Sequence, residues 1–305
     1  MLKSFAISFL LLFLCISQRT FAQLPPSGIT VNVDYLPASK YRKPIGEEKY
    51  EKTEASSSQQ RIRFNGNFLL ANKGDLASGN IRSWGIMVNG SYTKMNNKGY
   101  EQKVIPGELL EVDAGIQHFR SLKNNWGLYS AVSVGLYTDM EKINGNDVFI
   151  NGVAMFIKRK PKYAYGFGAG ITNATGVPLI LPGLFFQWQT GNKLKVNVTL
   201  PENISATYLL SQQTDLTLYF RPKFGVYDVE NMPEGKRLMS FIQLPLGLEH
   251  TWHLKKLDLF YGGGIMPLRS FDYSDKSISG IFKNKPSHLL STNVFLNAGV
   301  RWNFR

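Results

Sequence analysis

The best candidates for catalytic or metal-binding residues in this chain are histidine and serine side chains. Ser121 follows His118 by three positions, but a serine nucleophile needs a base within hydrogen-bond reach and a third group that orients the base. His250 and His253 have no third metal ligand near them in the sequence. We therefore expect no enzyme, no metal site and no cofactor. The enzymatic alternative is a membrane-facing lipid hydrolase built on His118 and Ser121.

Glycines at every second position of the segment 166–170 resemble a phosphate-binding loop. No helix is predicted after them, so no helix N-terminus is available to hold an anion. Glycine at period two instead suits a strand that bends or leaves space on one face. The single cysteine, Cys15, excludes a disulfide scaffold and a cysteine-based zinc site.

Charged side chains inside otherwise amphipathic segments are the most informative polar residues. We predict that ten of them face the lumen of a closed sheet. They are Arg61, Arg63, Glu111, Asp113, Lys195, Asp215, Arg221, Glu249, Asp258 and Arg301. Five are basic and five are acidic, which favours ion pairs across the lumen over a channel that selects one sign of charge.

The elements that must position these charges alternate apolar and polar side chains with period two. The clearest is 290–304, where one face carries seven apolar residues in eight and the other carries one in seven. Similar segments of about 9–14 residues recur from residue 61 onward, separated by turn sequences such as Asn144-Gly145-Asn146. Because successive strand side chains point to opposite faces, the chain is predicted to be all-β with meander topology.

A soluble sandwich and a membrane barrel share this alternation, and strand length separates them. The predicted strands exceed the about 5–6 residues of soluble strands and match the roughly 9–11 residues of transmembrane strands. Charges and glycines lie inside the strands, where a dry core would exclude charge, and Trp and Tyr fall near strand ends. We predict an antiparallel up-and-down transmembrane β-barrel over 61–305, with about 12 strands and 14 as the alternative.

The region before residue 61 is predicted to lie outside the barrel. Residues 1–22 have a basic start, a 12-residue apolar stretch and small residues before a cleavage site between Ala22 and Gln23, as in a secretory signal peptide. The apolar stretch is too short for a membrane helix, and the bulky Leu14 before Cys15 argues against a lipoprotein. Because 37–60 are polar, 23–60 are predicted to form an N-terminal segment or linker. Whether 29–36 and 180–190 join the barrel decides between 12 and 14 strands.

The last strand predicts where the chain is assembled. Asn297, Gly299, Trp302 and Phe304 follow the order polar, glycine, aromatic, aromatic near the chain end, which looks like the signal read by the barrel-assembly machinery of the bacterial outer membrane. The alternative is a soluble β-protein that ends in an edge strand, although exposed edges are normally blunted. We therefore predict the bacterial outer membrane as the location, after export.

The chain is basic, with a formal net charge of +13, or +11 without residues 1–22. Since the chain is predicted to be exported and its basic residues are scattered in the sequence, we expect no nucleic-acid partner. Outer-membrane lipid and lipopolysaccharide are the expected anionic partners, and ordinary solubilising surface charge is the alternative.

The sequence also resembles a known family. The segment Phe21-Ala22-Gln23, the stretch Leu181-Pro182-Gly183, Trp188, the pair Leu200-Pro201 and Tyr208 are similar to a family of uncharacterised outer-membrane β-barrels of the Bacteroidota. The resemblance implies a barrel over most of the chain after residue 22. It implies no catalytic or binding residues.

Three functions are compatible with such a barrel. The balanced charges favour a narrow pore or passive transporter of small solutes, with an unknown solute. A non-conducting structural or assembly component of the outer membrane is the alternative, because small barrels are often filled by side chains. The lipid hydrolase is the third.

Overall fold

A computed structural model describes residues 27–46, 49–75, 80–173, 178–190, 193–231, 236–274 and 288–304. The predicted signal peptide and its cleavage site at Ala22 and Gln23 lie outside these residues. No helix in the described part of the chain is long and apolar enough to cross a membrane.

The described residues form an all-β fold, with 18 strands in one sheet and two single-turn 3-10 helices, Lys123–Asn125 and Gly145–Asp147. The strands are β1 (Gly28–Pro44), β2 (Tyr50–Asp75), β3 (Asn80–Lys98), β4 (Glu108–Ser121), β5 (Trp126–Thr138), β6 (Val148–Arg159), β7 (Tyr163–Thr172), β8 (Leu179–Thr190), β9 (Leu194–Leu200), β10 (Asn203–Leu209), β11 (Thr214–Phe220), β12 (Lys223–Asp228), β13 (Leu238–Gln243), β14 (Leu246–His253), β15 (Leu257–Met266), β16 (Arg269–Ser274), β17 (His288–Leu290) and β18 (Asn293–Asn303). The predicted fold class is therefore confirmed as all-β.

Antiparallel pairing forms a closed circuit through the sheet. It runs from β1 to β11, continues through β14, β15 and β18, and returns from β18 to β1. Val31 of β1, for example, pairs with Phe64 of β2 on one side and with Val300 of β18 on the other. We call the strands of this circuit the wall.

The two ends of the wall differ in their connections. Both described chain ends, near Gly28 and Asn303, lie at one end together with the connections β2–β3, β4–β5, β6–β7, β8–β9, β10–β11 and β14–β15, each of three or four residues. We call this the short-turn end. The opposite, long-loop end holds longer connections, such as 99–107, 139–147 and 229–237.

Four short strands leave the wall at one level near the long-loop end. β12, β13, β16 and β17 continue β11, β14, β15 and β18, and the breaks fall at or beside Pro222, Pro245, Pro267 and Thr292. Proline has no backbone N–H to donate to a strand ladder, so three of these breaks have a direct cause in the sequence. The four strands pair with one another and with the end of β1. We call them the inner flap.

The inner flap crosses to the far side of the wall. Asp228 at the end of β12 pairs in parallel with Thr138 of β5, which is not a neighbour of β11 in the wall. Val226 and Tyr227 point to opposite faces of β12 and are only 0% and 3% exposed. An apolar cluster fills the space between flap and wall, and it includes Tyr137, Phe149, Phe241, Phe271 and Leu290. A flap buried on both faces therefore covers the long-loop end of the sheet interior.

Two expectations from the sequence are corrected by this sheet. Residues 37–60, predicted to form a loop or linker, belong largely to β1 and β2, which pair closely over Ser39↔Ser57 and Lys40↔Ser56. At these positions polar side chains lie on both faces of the strands, so the alternation that reveals a strand is missing. The described residues also form 18 strands, which departs from the predicted 12 and from the alternative of 14, in part because proline splits single sequence segments into two strands.

Candidate functional site

The inner face of the wall is the place where charged side chains gather. Of the ten residues that the sequence places there, five are buried and five are half-buried. Arg61, Asp113, Asp215, Glu249 and Asp258 are buried, and Arg63, Glu111, Lys195, Arg221 and Arg301 are half-buried. Their alternation neighbours on the other face are mostly exposed apolar side chains, such as Ile62, Val112 and Leu248.

Only two pairs of opposite charge form among these ten residues. Arg221 donates from two guanidinium nitrogens to the two carboxylate oxygens of Glu249, both at 3.1 Å. Arg301 lies 3.5 Å from Asp258 on the neighbouring strand. Arg301 and Asp258 lie on the paired strands β18 and β15, and Arg221 directly follows β11, which pairs with the strand of Glu249, β14. Both ion pairs therefore run along the wall, whereas the sequence led us to expect pairs across the interior.

The other predicted residues bond to neutral partners or to groups that the sequence analysis missed. Arg61 donates to Thr93 Oγ1 at 2.8 Å, Glu111 accepts from Tyr227 Oη at 3.4 Å, and Asp113 accepts from Asn89 at 2.9 Å. The Oδ2 atom of Asp215 lies 2.8 Å from Nε2 of His253, within hydrogen-bond distance. Lys195 makes no ion pair with a described residue.

One ion cluster spans the interior, and sequence reasoning missed two of its members. Lys223 of the inner flap places Nζ 2.5 Å from Asp34 Oδ2 of β1, and Arg63 Nη2 of β2 lies 3.0 Å from the same oxygen. Asp34 is enclosed between them. The alternation over 29–36 puts Asp34 on the polar face of its strand, and that signal would have identified it once this segment was accepted as a strand.

A second group of contacts attaches the flap to β2 through uncharged amides. Arg269 is 1% exposed and donates to Gln59 Oε1 at 2.8 Å, and Gln243 donates to the same oxygen at 2.9 Å. The Arg61 guanidinium lies over the Phe241 ring at 5.3 Å. The guanidinium group of Arg269, in the flap, therefore contacts β2, and that of Arg61, in β2, contacts the flap. Neither forms an ion pair with a carboxylate among the described residues.

The tip of the flap is fastened at the long-loop end. The Glu230 N–H donates to Asp139 Oδ2 at 2.9 Å, and Asn231 donates to Glu141 at 3.0 Å. Tyr273 donates to the Val104 carbonyl oxygen at 2.6 Å. Burial raises the pKa of the Asp139 carboxyl above its ordinary value, even though the Glu230 N–H bond acts in the opposite direction.

The interior is also narrowed towards the short-turn end. A second apolar cluster lies there, and Arg159 covers the Phe119 ring at 4.5 Å. The largest side chains of this cluster are Phe119, Tyr129, Met155, Ile157 and Phe185. All members of this cluster lie on the adjacent strands β3 to β8, so it lines one side of the wall near the short-turn end, whereas the flap cluster covers the long-loop end.

The side chains first considered for chemistry are not assembled into a reactive group. His118 Nδ1 lies 2.9 Å from the Ser83 carbonyl oxygen and its ring stacks on Trp84 at 4.1 Å, whereas Ser121 accepts from the Ile81 N–H. His250 and His253, three positions apart on β14, point to opposite faces of the strand. Among the described residues no group of three or more His, Cys, Asp or Glu is arranged to hold a metal ion.

The predicted assembly residues lie on the last strand and just beyond it. Asn297 points inward and donates to Glu249 at 3.0 Å, whereas Trp302 and Phe304 are exposed on the outer face, with ring centroids 5.9 Å apart. A side chain at Gly299 would meet the Phe260 ring and the Val31 carbonyl oxygen, so this close approach requires glycine.

Several solved structures bear some similarity to this chain. The COG4313 outer membrane channel from Pseudomonas putida F1 has 10% sequence identity and a TM-score of 0.45, over 95% of this chain and 100% of that chain. A TodX monoaromatic hydrocarbon channel mutant has 9% identity and a TM-score of 0.44, over 92% and 91% of the two chains. A Pseudomonas aeruginosa FadL homologue has 8% identity and a TM-score of 0.36, over 93% and 92%.

A protein family accounts for nearly the whole length of the sequence. The family described as "Domain of unknown function (DUF6268)" matches residues 18–303. That range contains every strand from β1 to the end of β18. No curated protein sequence matches the chain. Because the family match extends over far more than half of the chain, the protein belongs to the DUF6268 family.

Proposed function

We propose that the protein is an outer-membrane β-barrel whose wall has 14 strands, β1–β11, β14, β15 and β18. The observation that carries the proposal is the belt of large apolar side chains exposed on the outer face of the closed circuit. Ile180, Leu296 and Val132 are 67%, 61% and 55% exposed, and each belongs to a strand whose opposite face is polar or buried. Soluble monomers rarely expose so much contiguous apolar surface, whereas membrane hydrocarbon would cover it.

Export and assembly belong to the same proposal. Residues 1–22 would direct export and be cleaved between Ala22 and Gln23, and the pattern around Trp302 and Phe304 would present the last strand to the barrel-assembly machinery. Outer-membrane lipid and lipopolysaccharide would surround the apolar belt. The likeness to barrels of the Bacteroidota stays a prediction.

The activity we propose is passive transport of small solutes, with the inner flap as the gate. The interior carries charged and amide groups that suit a polar solute, and the flap separates them from the long-loop end. The flap meets the far wall through one backbone pair, Asp228↔Thr138, and through side-chain contacts. Such contacts can break without unfolding the continuous ladders of the wall.

A disulfide between flap and wall tests the gate. Asp228 and Thr138 are backbone neighbours, so cysteines at both positions lie within disulfide range. The natural chain has one cysteine, Cys15, which lies in the segment predicted to be removed. In planar bilayers we expect the reduced pair to conduct about tenfold more than the oxidised pair, because a locked gate lowers the open fraction.

A matched pair of cysteines within the wall provides the control. Thr207 and Thr217 face each other on β10 and β11, with hydroxyl oxygens 2.8 Å apart, and a disulfide there joins two strands that do not move in the proposal. Its oxidation should leave the conductance unchanged. Equal conductance of the oxidised and reduced Thr138–Asp228 pair would contradict the flap as a gate.

A non-conducting structural component is the second candidate, and the apolar filling favours it. Buried apolar side chains fill the space under the flap, and a second cluster lines strands β3 to β8 near the short-turn end. If the wild type and the reduced cysteine pair both insert into bilayers and neither conducts, this candidate replaces passive transport.

A further inference from the structure

Basic side chains collect at the short-turn end of the wall, although they are scattered in the sequence. Seven exposed lysines lie in or beside its turns: Lys73, Lys123, Lys160, Lys162, Lys193, Lys255 and Lys256. The acidic residues at this end are Asp75 at the tip of β2 and two buried ones, Asp215 and Asp258, which both contact His253. The short-turn end therefore has a strong excess of exposed positive charge.

Three of the cations stand side by side on neighbouring strands. Lys73 of β2 pairs in register with Arg82 of β3, and Arg82 pairs with Arg120 of β4. All three are exposed, and none forms an ion pair with a carboxylate whose side chain the structure describes, a set that does not include Asp75. Like charges directly opposite each other destabilise a sheet, so this row has an energetic cost unless an anion lies against it.

The row lies on the membrane side of the wall. Arg82 has the same strand parity as Trp84, and Arg120 has the same parity as His118, while the residues between them, Ser83 and Phe119, are buried. Trp84 and His118 are themselves register partners and stack at 4.1 Å. The three cations therefore come directly after an aromatic pair that ends the apolar belt.

The tryptophans mark the same level around the whole wall. All five tryptophans of the chain lie within a few residues of the short-turn end: Trp84, Trp126, Trp188, Trp252 and Trp302. Lys158 places its ammonium 5.3 Å from the Trp126 ring centre. Tryptophan prefers the interface between hydrocarbon and headgroups, so the cations just beyond it are at the depth of the lipid phosphates.

We propose that Lys73, Arg82 and Arg120 bind the phosphate of an anionic phospholipid headgroup. Arginine donates to phosphate in a planar, two-pronged geometry, and Trp84 supplies an adjacent platform for the glycerol and upper acyl chain. The proposal rests on the membrane barrel proposed above and adds its lipid partner. Because the chain ends and the short turns of bacterial barrels face the periplasm, the phospholipid is one of the inner leaflet.

Lipid retention measured on the refolded full chain tests this site. The protein is refolded into vesicles of equal parts phosphatidylglycerol and phosphatidylcholine, then released for native mass spectrometry. We expect about tenfold preferential retention of phosphatidylglycerol, and we expect Arg82→Gln with Arg120→Gln to remove most of that preference. Lys255→Gln with Lys256→Gln removes the same charge from the same end, outside the row, and should leave the preference largely intact.

Stability in neutral lipid separates binding from damage to the fold. In pure phosphatidylcholine the arginine double variant should resist urea as well as the wild type or better, since the repulsion in the row is relieved. Equal retention of both lipids by the wild type, or equal loss in both double variants, would overturn the site. Preference for lipid A over phosphatidylglycerol would overturn the assignment to phospholipid. Failure to insert into any vesicle would instead refute the membrane barrel, and the site with it.

Discussion

At the scale of single residues, the buried carboxylate of Asp34 joins the inner flap to the wall. It is shared by Lys223 from the flap and Arg63 from the neighbouring strand. Removing a charge from water is costly, and the cost is offset only while its partners are present. Loss of either cation therefore weakens the contact between two elements that are far apart in the sequence.

Lys223→Met tests this contact because it keeps the side-chain length and removes the ammonium group. We expect the free energy of unfolding, measured by urea titration in detergent micelles, to fall by about 1.5–3 kcal/mol. The loss is smaller than for a fully unpaired buried charge because Arg63 still pairs with Asp34. Asp34→Asn with Lys223→Met should recover at least half of it. A Lys223→Met variant as stable as the wild type would show that the pair contributes nothing.

Strand parity predicts the face of a residue well and its partner poorly. Period-two alternation identified Glu249 and Arg221 as residues of one face, and the structure pairs them directly. It did not identify Asp34, because the polar stretch after it obscured the first strand. It did not identify Arg269 either, since β16 is buried on both faces and shows no alternation. Partners from distant elements depend on how the flap folds, which no local pattern encodes.

At the scale of elements, the last strand separates one exposed apolar face and one interior face. Leu296 is 61% exposed on the outside, whereas Asn297 is buried and bonded to Glu249. The sequence predicted one strand over 290–304, and the structure breaks it at Ser291 and Thr292, beyond which Leu290 enters the flap cluster. Alternation revealed the strand, but the bend depends on packing against β1 and β16.

Leu296→Arg tests which side of this strand faces lipid. A cation near the middle of the hydrocarbon is expected to cost about 2–4 kcal/mol, and the yield of folded protein in lipid vesicles should fall accordingly. Leu296→Ala is the matched control, because it shortens the same side chain without adding charge and should refold nearly normally. Refolding of the arginine variant at the wild-type yield would mean that Leu296 is not in contact with hydrocarbon.

At the scale of the whole molecule, the wall and the inner flap divide two tasks. The wall is a continuous circuit whose outer face is apolar and whose inner face is charged, so in the proposed barrel it would insert into the membrane and enclose a polar interior. The flap occupies the long-loop end and fills it with apolar side chains. Spanning a membrane does not require the prolines that interrupt three adjacent strands at one level, because these prolines are where the flap leaves the wall. The division therefore supports the proposed gate, in which movement of the flap would open the interior.

Removing part of the flap should open the interior and reveal its charge balance. Replacing 222–244 by Asn-Gly joins Arg221 to Pro245, whose backbones already share a hydrogen bond, through a two-residue hairpin turn. We expect this variant to conduct in planar bilayers with weak selectivity, because acidic and basic side chains both remain on the inner face. Adding Glu111→Gln and Asp113→Asn leaves Arg61 and Arg63 in excess, so the reversal potential in a salt gradient should shift towards anions. Arg61→Gln with Arg63→Gln in the same background should shift it towards cations. A shortened variant that inserts and does not conduct would contradict transport through this interior and support the structural role.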